Sequence, residues 1–293
     1  MNLAELLRQV RLLEIQTRHQ VRDVLAGGYT SAFKGRGLEF AEVREYQPGD
    51  DVRTIDWNVT ARMGAAYVKR YVEERELTVL FVLDRSASGG FGSRVRTKAD
   101  LAAEVCAVLA MAAVQSNDRV GAVLFTDRVE RYVPPIKGRR HALRLLRELL
   151  SFEPRGLGTD LGAALDFVNC VLRRRAVVFI VSDFLGSGYE SALQRTARHH
   201  DAIALQLADP RERELPDVGL VALRDPESER WGYVDTGSRR MRAEFQHRAR
   251  DFDIRLQRFL RRAGADPLQL ETDRDYLPAL LTLFRMRERT LYR

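Results

Sequence analysis

Cysteine, proline and long apolar runs are all scarce in this sequence. Two of the 293 residues are cysteine and nine are proline. Cys106 and Cys170 each lie inside an apolar helical pattern, far from any Cys or His at metal-ligand spacing. That excludes a disulfide framework and a zinc finger and suits a reducing compartment. The longest strongly apolar runs, Leu77–Leu83 and Ala176–Val181, are strand-sized, far short of the roughly 20 residues of a spanning helix. The first residues begin an amphipathic helix and show no charged segment leading into an apolar run, so no signal peptide is expected and the expected location is cytoplasmic. Hydrophobic residues at 45% and only 20 glycines argue against disorder and collagen-like repeats.

What is present is an ordinary globular composition with a basic excess, 48 Lys plus Arg against 41 Asp plus Glu, for a net charge of +7. Three regions emerge. In residues 1–76, Leu3, Leu6, Leu7, Val10, Leu13, Val21 and Val24 recur at helical spacing, with Gly27-Gly28 as the expected stop. Residues 38–46 and 67–75 then read as a small antiparallel β element around the turn-forming Pro48-Gly49-Asp50-Asp51.

In residues 77–210 buried strands alternate with helices, the signature of a parallel sheet covered on both faces. Strands are expected at Leu77–Asp84, Arg119–Phe125, Ala176–Ser182 and Ala202–Ala208, and helices at 97–116 and 160–173. Val129–Val133 should pair antiparallel at the sheet edge and end at Pro134-Pro135. The fold class is therefore α/β, a three-layer, Rossmann-like sheet with a small N-terminal β element and C-terminal helices. Residues 211–293 read as a hairpin, Val218–Leu223 with Trp231–Val234, followed by a helix over 239–263 with Met241, Phe245, Phe252, Leu256, Phe259 and Leu260 inward. Thr272 is the expected cap of a final helix.

The most informative spot is the end of the first core strand, where Leu83 runs into Asp84-Arg85-Ser86-Ala87-Ser88. Strand ends face the crevice where α/β proteins bind ligands. One carboxylate and two hydroxyls at i, i+2 and i+4 can converge on a point as hard oxygen donors, which suit magnesium, manganese or calcium. Thr159, opening the helix at 160, and Asp183, following the third strand, join this cluster if the strands are neighbours. The same residues also suit a plainer role, with Asp84 and the serines starting a turn and Thr159 acting as an N-cap. His19 and His199-His200 read as solvated helix ends, with no suitably spaced partner for metal binding.

Asp84-x-Ser86-x-Ser88 with Thr159 and Asp183 resembles the metal-ion-dependent adhesion site (MIDAS) of von Willebrand factor type A domains. Upstream, Gly35-Arg-Gly-Leu-Glu-Phe40, Arg44-Glu-Tyr-Gln-Pro48-Gly-Asp-Asp51, Arg53-Thr-Ile-Asp56-Trp57 and Ala61-Arg62 are similar to the signature of the bacterial domain of unknown function 58 family, in which this segment precedes a type A domain. The resemblance covers roughly residues 30–290. It implies that Asp84, Ser86, Ser88 and Thr159 ligate a divalent cation, most readily magnesium, directly or through water, and that Asp183 ligates or holds a coordinating water. It also implies a vacant position for an acidic side chain of a protein partner, and joint action with a MoxR-type AAA+ ATPase in chaperone-like assembly or maturation. One departure is the loop Gly89-Gly90-Phe91-Gly92, where relatives often carry Met. Arg44, Arg53, Asp56, Trp57 and Arg62 fit either structural pairing or a contact surface.

Catalysis is not expected. An aspartate phosphotransferase places a second Asp two residues after its nucleophile, where this chain has Ser86. The phosphate-cradling, dinucleotide-binding and nucleophile-elbow motifs are also missing. The alternative function is nucleic-acid binding, because residues 239–262 carry nine arginines against Glu244, Asp251 and Asp253.

Overall fold

The computed structural model describes residues 26–34, 39–48, 50–51, 55–72, 76–93, 95–224, 226 and 230–291. The leucine repeat of residues 3–24, His19 and Arg53 lie outside these. The elements in chain order are α1 (Ala26–Lys34), β1 (Glu39–Glu45), α2 (Trp57–Met63), β2 (Tyr67–Val72), β3 (Thr78–Asp84), α3 (Lys98–Gln115), β4 (Arg119–Phe125) and β5 (Val129–Lys137). They continue as α4 (Arg139–Ser151), α5 (Leu161–Val171), β6 (Val177–Ser182), α6 (Glu190–His199), β7 (Asp201–Ala208), β8 (Leu220–Arg224), β9 (Trp231–Asp235), α7 (Arg239–Ala263), β10 (Asp266–Glu271) and α8 (Leu277–Leu291).

Six strands form the central sheet in the order β10-β7-β6-β3-β4-β5. All neighbours are parallel except β4 and β5. Strand periodicity divides the core between the two faces. Val79, Phe81 and Leu83 of β3 join Leu101, Val105, Leu145, Leu280 and Phe284 on one face. Leu80 and Val82 join Leu161, Leu165, Leu193, Leu256 and Leu260 on the other. The expected three-layer α/β architecture is thus present, with helices on both faces of a mixed sheet. Two small antiparallel pairs stand beside it, β1 with β2 and β8 with β9.

Several expectations need correction. Gly27 and Gly28 lie inside α1, although the helix they were expected to stop lies outside the described residues. Gly28 lies against Phe284, where an added Cβ would sit 3.6 Å from the ring, while Tyr29 packs edge-on to Phe284, so close packing on α8 overrides glycine's low helix propensity. Pro134-Pro135 do not end β5, which runs on to Lys137. β5 is an edge strand, whose outer side needs no N–H donors, and its register slips opposite Gly121, where any Cβ would strike the Val133 carbonyl at 2.6 Å. Thr272 does not cap α8: its hydroxyl donates to Asp209 (2.5 Å), and Asp275 instead accepts from Leu277 N. Met241 is 42% exposed and not inward, and His200 is buried, not solvated.

Candidate metal centre

Four of the five expected site residues, Asp84, Ser86, Ser88 and Asp183, meet at the C-terminal edge of the sheet, where β3 and β6 lie side by side. Asp84 ends β3. Arg85 N then donates to the Phe125 carbonyl of β4 (2.8 Å), which pulls the chain into a tight turn. Asp84 Oδ1 accepts from Ser86 N (2.9 Å), and Asp84 Oδ2 accepts from the Ser182 hydroxyl at the end of β6 (2.7 Å). The Ser86 and Ser88 hydroxyl oxygens are 3.1 Å apart, and Ser88 Oγ donates to Asp183 Oδ2 at 2.8 Å. Two segments nearly a hundred positions apart in the chain thereby share one spot.

Thr159 belongs to a third loop. Ala87 N donates to Leu157 O (3.0 Å) and Asp160 N to Thr126 O (2.7 Å), clamping residues 157–160 between the Ser86 turn and the end of β4. Gly186 lies against Thr159, where an added Cβ would meet its methyl at 3.8 Å. Asp160, not Thr159, caps α5, accepting from Ala163 N.

The segment after β6 turns sharply. Phe184 is buried with φ of 58°, an uncommon conformation for a bulky residue. Leu185 N donates to Asp183 Oδ1 (3.1 Å), so this turn holds the Asp183 carboxylate toward the Ser88 loop.

The sequence reading missed Lys98, the first residue of α3. It is 1% exposed, and its ammonium bonds Asp183 Oδ2 (2.8 Å) and Glu212 Oε1 (2.6 Å). Burial alone would lower the Lys98 pKa, but the two carboxylates outweigh it and hold it above the usual value. The only sequence signal was a lysine at the start of a largely apolar helix. Asp84 behaves oppositely. Burial first, and the Asp183 charge second, push its carboxyl up to about 6, against the hydrogen bonds from Ser86 and Ser182. Lys98 therefore neutralises the Asp183 side of the cluster, whereas among the described residues Asp84 makes no ion pair and feels a cation only through the charge of the neighbouring Arg85.

The donor set fits a small hard cation. Ligands about 2.1 Å from an octahedral magnesium ion lie about 3 Å from one another. The oxygen separations of 3.1 and 2.8 Å along Ser86, Ser88 and Asp183 are of that size. Among the described residues no group of three or more His, Cys, Asp or Glu is placed to hold a metal. A cation here would rely on two carboxylates and on hydroxyls.

Outside this cluster, Arg44 forks onto Asp50 (2.9 and 2.6 Å) and Asp56 caps α2, whereas Trp57 stands 68% exposed. On α7, every arginine but Arg242 is exposed, and Arg242 is half-buried. No helix among the described residues is long and apolar enough to cross a membrane.

An uncharacterized protein of Mycobacterium tuberculosis is 36% identical over 285 residues, 96% of this chain and 89% of its own length. A shorter likeness, 27% over 137 residues, links 46% of this chain to 31% of the uncharacterized protein YeaD of Bacillus subtilis. Among solved structures, the conserved hypothetical protein BatB from Bacteroides thetaiotaomicron aligns with 73% of this chain and 99% of its own, at 15% identity and a TM-score of 0.49. The family described as Protein of unknown function DUF58 matches residues 42–254. With most of its length matched by that family and a relative alignable almost end to end, the chain belongs to the DUF58 family.

Proposed function

We propose that this protein is a non-catalytic, divalent-cation-dependent protein-interaction module. The observation that supports this reading best is the convergence of Asp84, Ser86, Ser88 and Asp183 oxygens from two adjacent strand ends, with Thr159 on the loop clamped beside them. In this reading the five residues hold magnesium, or manganese or calcium. Asp84, the buried carboxylate that makes no ion pair among the described residues, is the dominant ligand. Two carboxylates leave the ion able to take a further oxygen ligand, and an Asp or Glu of a partner protein supplies it. The type A resemblance names the partner as a MoxR-type AAA+ ATPase and the role as assembly or maturation of a protein complex in the cytoplasm.

The test is calorimetric titration with magnesium and manganese, followed by surface plasmon resonance against the candidate ATPase with magnesium and then with chelator. Wild type, Thr159→Ala and Asp183→Ala are compared. Loss of a charge-assisted contact at a desolvated centre costs about 2–5 kcal/mol, enough to remove a micromolar complex from view. Binding indifferent to chelator and to both substitutions would make the cluster a structural device only. A second reading, nucleic-acid binding, is favoured by the exposed arginines of α7 together with Trp231 and Tyr233, 68% and 77% exposed on β9. DNA or RNA binding that disappears when several of these arginines are reversed to Glu would support it.

A further inference from the structure

The three loops that bring the candidate ligands together each carry one large apolar side chain into solvent: Phe91 after the Ser88 turn, Leu157 before Thr159 and Leu185 after Asp183, 43%, 51% and 60% exposed. Exposed apolar residues scattered singly need no explanation, but these ring one polar cluster. On one side the ring continues into a groove of about 580 Å³, which begins at Ser88 and runs beneath the β8–β9 hairpin. Phe91, Leu185, Leu215, Val221, Leu223 and Phe245 line it. Val221 and Leu223 sit two apart on β8, so one face of the hairpin serves as a wall.

The groove's charges are few and lean positive. Glu212 lies on its wall, but its carboxylate is held by Lys98, the same ammonium that holds Asp183. Arg211 also lines it, and among the described residues its guanidinium makes no ion pair. A pocket of this volume can enclose a drug-sized ligand, and so more than one large side chain. Apolar walls, a spare arginine and a hard-cation centre at one end complement a ligand that is acidic at one point and apolar beside it.

We infer that the groove receives the apolar side chains next to the carboxylate that the centre engages. The partner then presents a short acidic–apolar peptide segment, its Asp or Glu at the Ser88 end and Leu, Ile, Phe or Met under the hairpin. This inference rests on the metal-dependent interaction reading and specifies its ligand. Recognition would be divided between a charge contact that needs the ion and apolar burial that does not, with the Lys98–Glu212 pair joining the two halves.

The experiment selects a random peptide library displayed on phage against the full chain in magnesium. Synthetic copies of the enriched peptides are then titrated against wild type, Leu223→Arg and Leu185→Ala, and each variant is also titrated with magnesium alone. The expected result is enrichment of peptides with Asp or Glu within a few positions of a large apolar residue and no binding in chelator. Peptide affinity should fall about tenfold or more in Leu223→Arg, while magnesium affinity stays that of wild type. Leu185→Ala keeps the test meaningful should the hairpin variant misfold. Acidic peptides that need magnesium but ignore both substitutions would overturn the groove and leave the metal reading standing. Apolar peptides that ignore chelator would overturn the link between groove and ion, and failure to enrich any peptide would overturn the inference outright. Absence of magnesium binding by wild type would instead sink the metal reading beneath it.

Discussion

The Asp84 carboxylate puts opposite demands on the metal-free and metal-bound protein, and Asp84→Asn separates them. Burial and the neighbouring Asp183 raise its pKa from 3.8 to about 6. A tenfold change in proton affinity corresponds to about 1.4 kcal/mol, so holding Asp84 ionised at neutral pH costs the metal-free fold about 3 kcal/mol. The folded value lies above the unfolded one, so the folded state binds this proton more tightly. The penalty is therefore absent below about pH 4, grows between about pH 4 and 6, and is complete above that. Asparagine keeps the shape and removes the charge. Its carbonyl can still accept from Ser86 N, and the Ser182 hydroxyl, which now donates to Asp84 and accepts from Phe184 N, must reorient, a loss of about 1 kcal/mol. In chelator at neutral pH, Asp84→Asn should thus be about 2 kcal/mol more stable than wild type in urea unfolding followed by circular dichroism, with the gain gone near pH 4. Added magnesium should stabilise wild type by mass action and leave the variant unchanged. A variant less stable than wild type in chelator at neutral pH, or one equally stabilised by magnesium, would refute the argument.

Lys98→Met should have the converse profile. Removing the buried ammonium leaves Asp183 and Glu212 without their shared cation, at a cost of about 3 kcal/mol, the low end for a broken buried pair because Glu212 is partly exposed. With that positive charge gone, magnesium should bind more tightly and restore more stability than it adds to wild type, as read by calorimetry and thermal melts; an equal magnesium response in both would show that Lys98 does not bear on the centre. Gly156→Ala tests the clamp on the Thr159 loop, since a Cβ there would fall 2.2 Å from Asp127 Oδ1 and 2.5 Å from Thr126 Oγ1. Either the loop or the Asp127 and Thr126 side chains that clamp it must shift, so magnesium affinity should fall with no loss of helical circular dichroism, and unchanged affinity would show that this clamp is irrelevant to the ion.

The parallel core was legible in the sequence because its causes are local. Apolar strands such as Leu77–Leu83 followed by amphipathic helices announce burial on both faces whatever lies elsewhere in the chain. The Asp84, Ser86 and Ser88 cluster was legible for the same reason, as its spacing alone turns three oxygens to one side of a loop. The edge of the sheet was not. β10 is six residues, Asp-Pro-Leu-Gln-Leu-Glu, too short and too mildly alternating to stand out, and only pairing along β7 makes it a strand. Pro134-Pro135 and Gly27-Gly28 looked like terminators because local propensity disfavours them inside elements. An unpaired sheet edge and the closeness of Phe284 reverse that preference. Lys98 shows the limit most clearly, since a lysine starting a helix ordinarily points to water. It is buried here because Asp183 and Glu212, 85 and 114 residues further along the chain, arrive at its ammonium together. Hydrophobic periodicity is set by neighbours in sequence, whereas the charge balance of the centre is set by which strand ends the folded sheet places side by side.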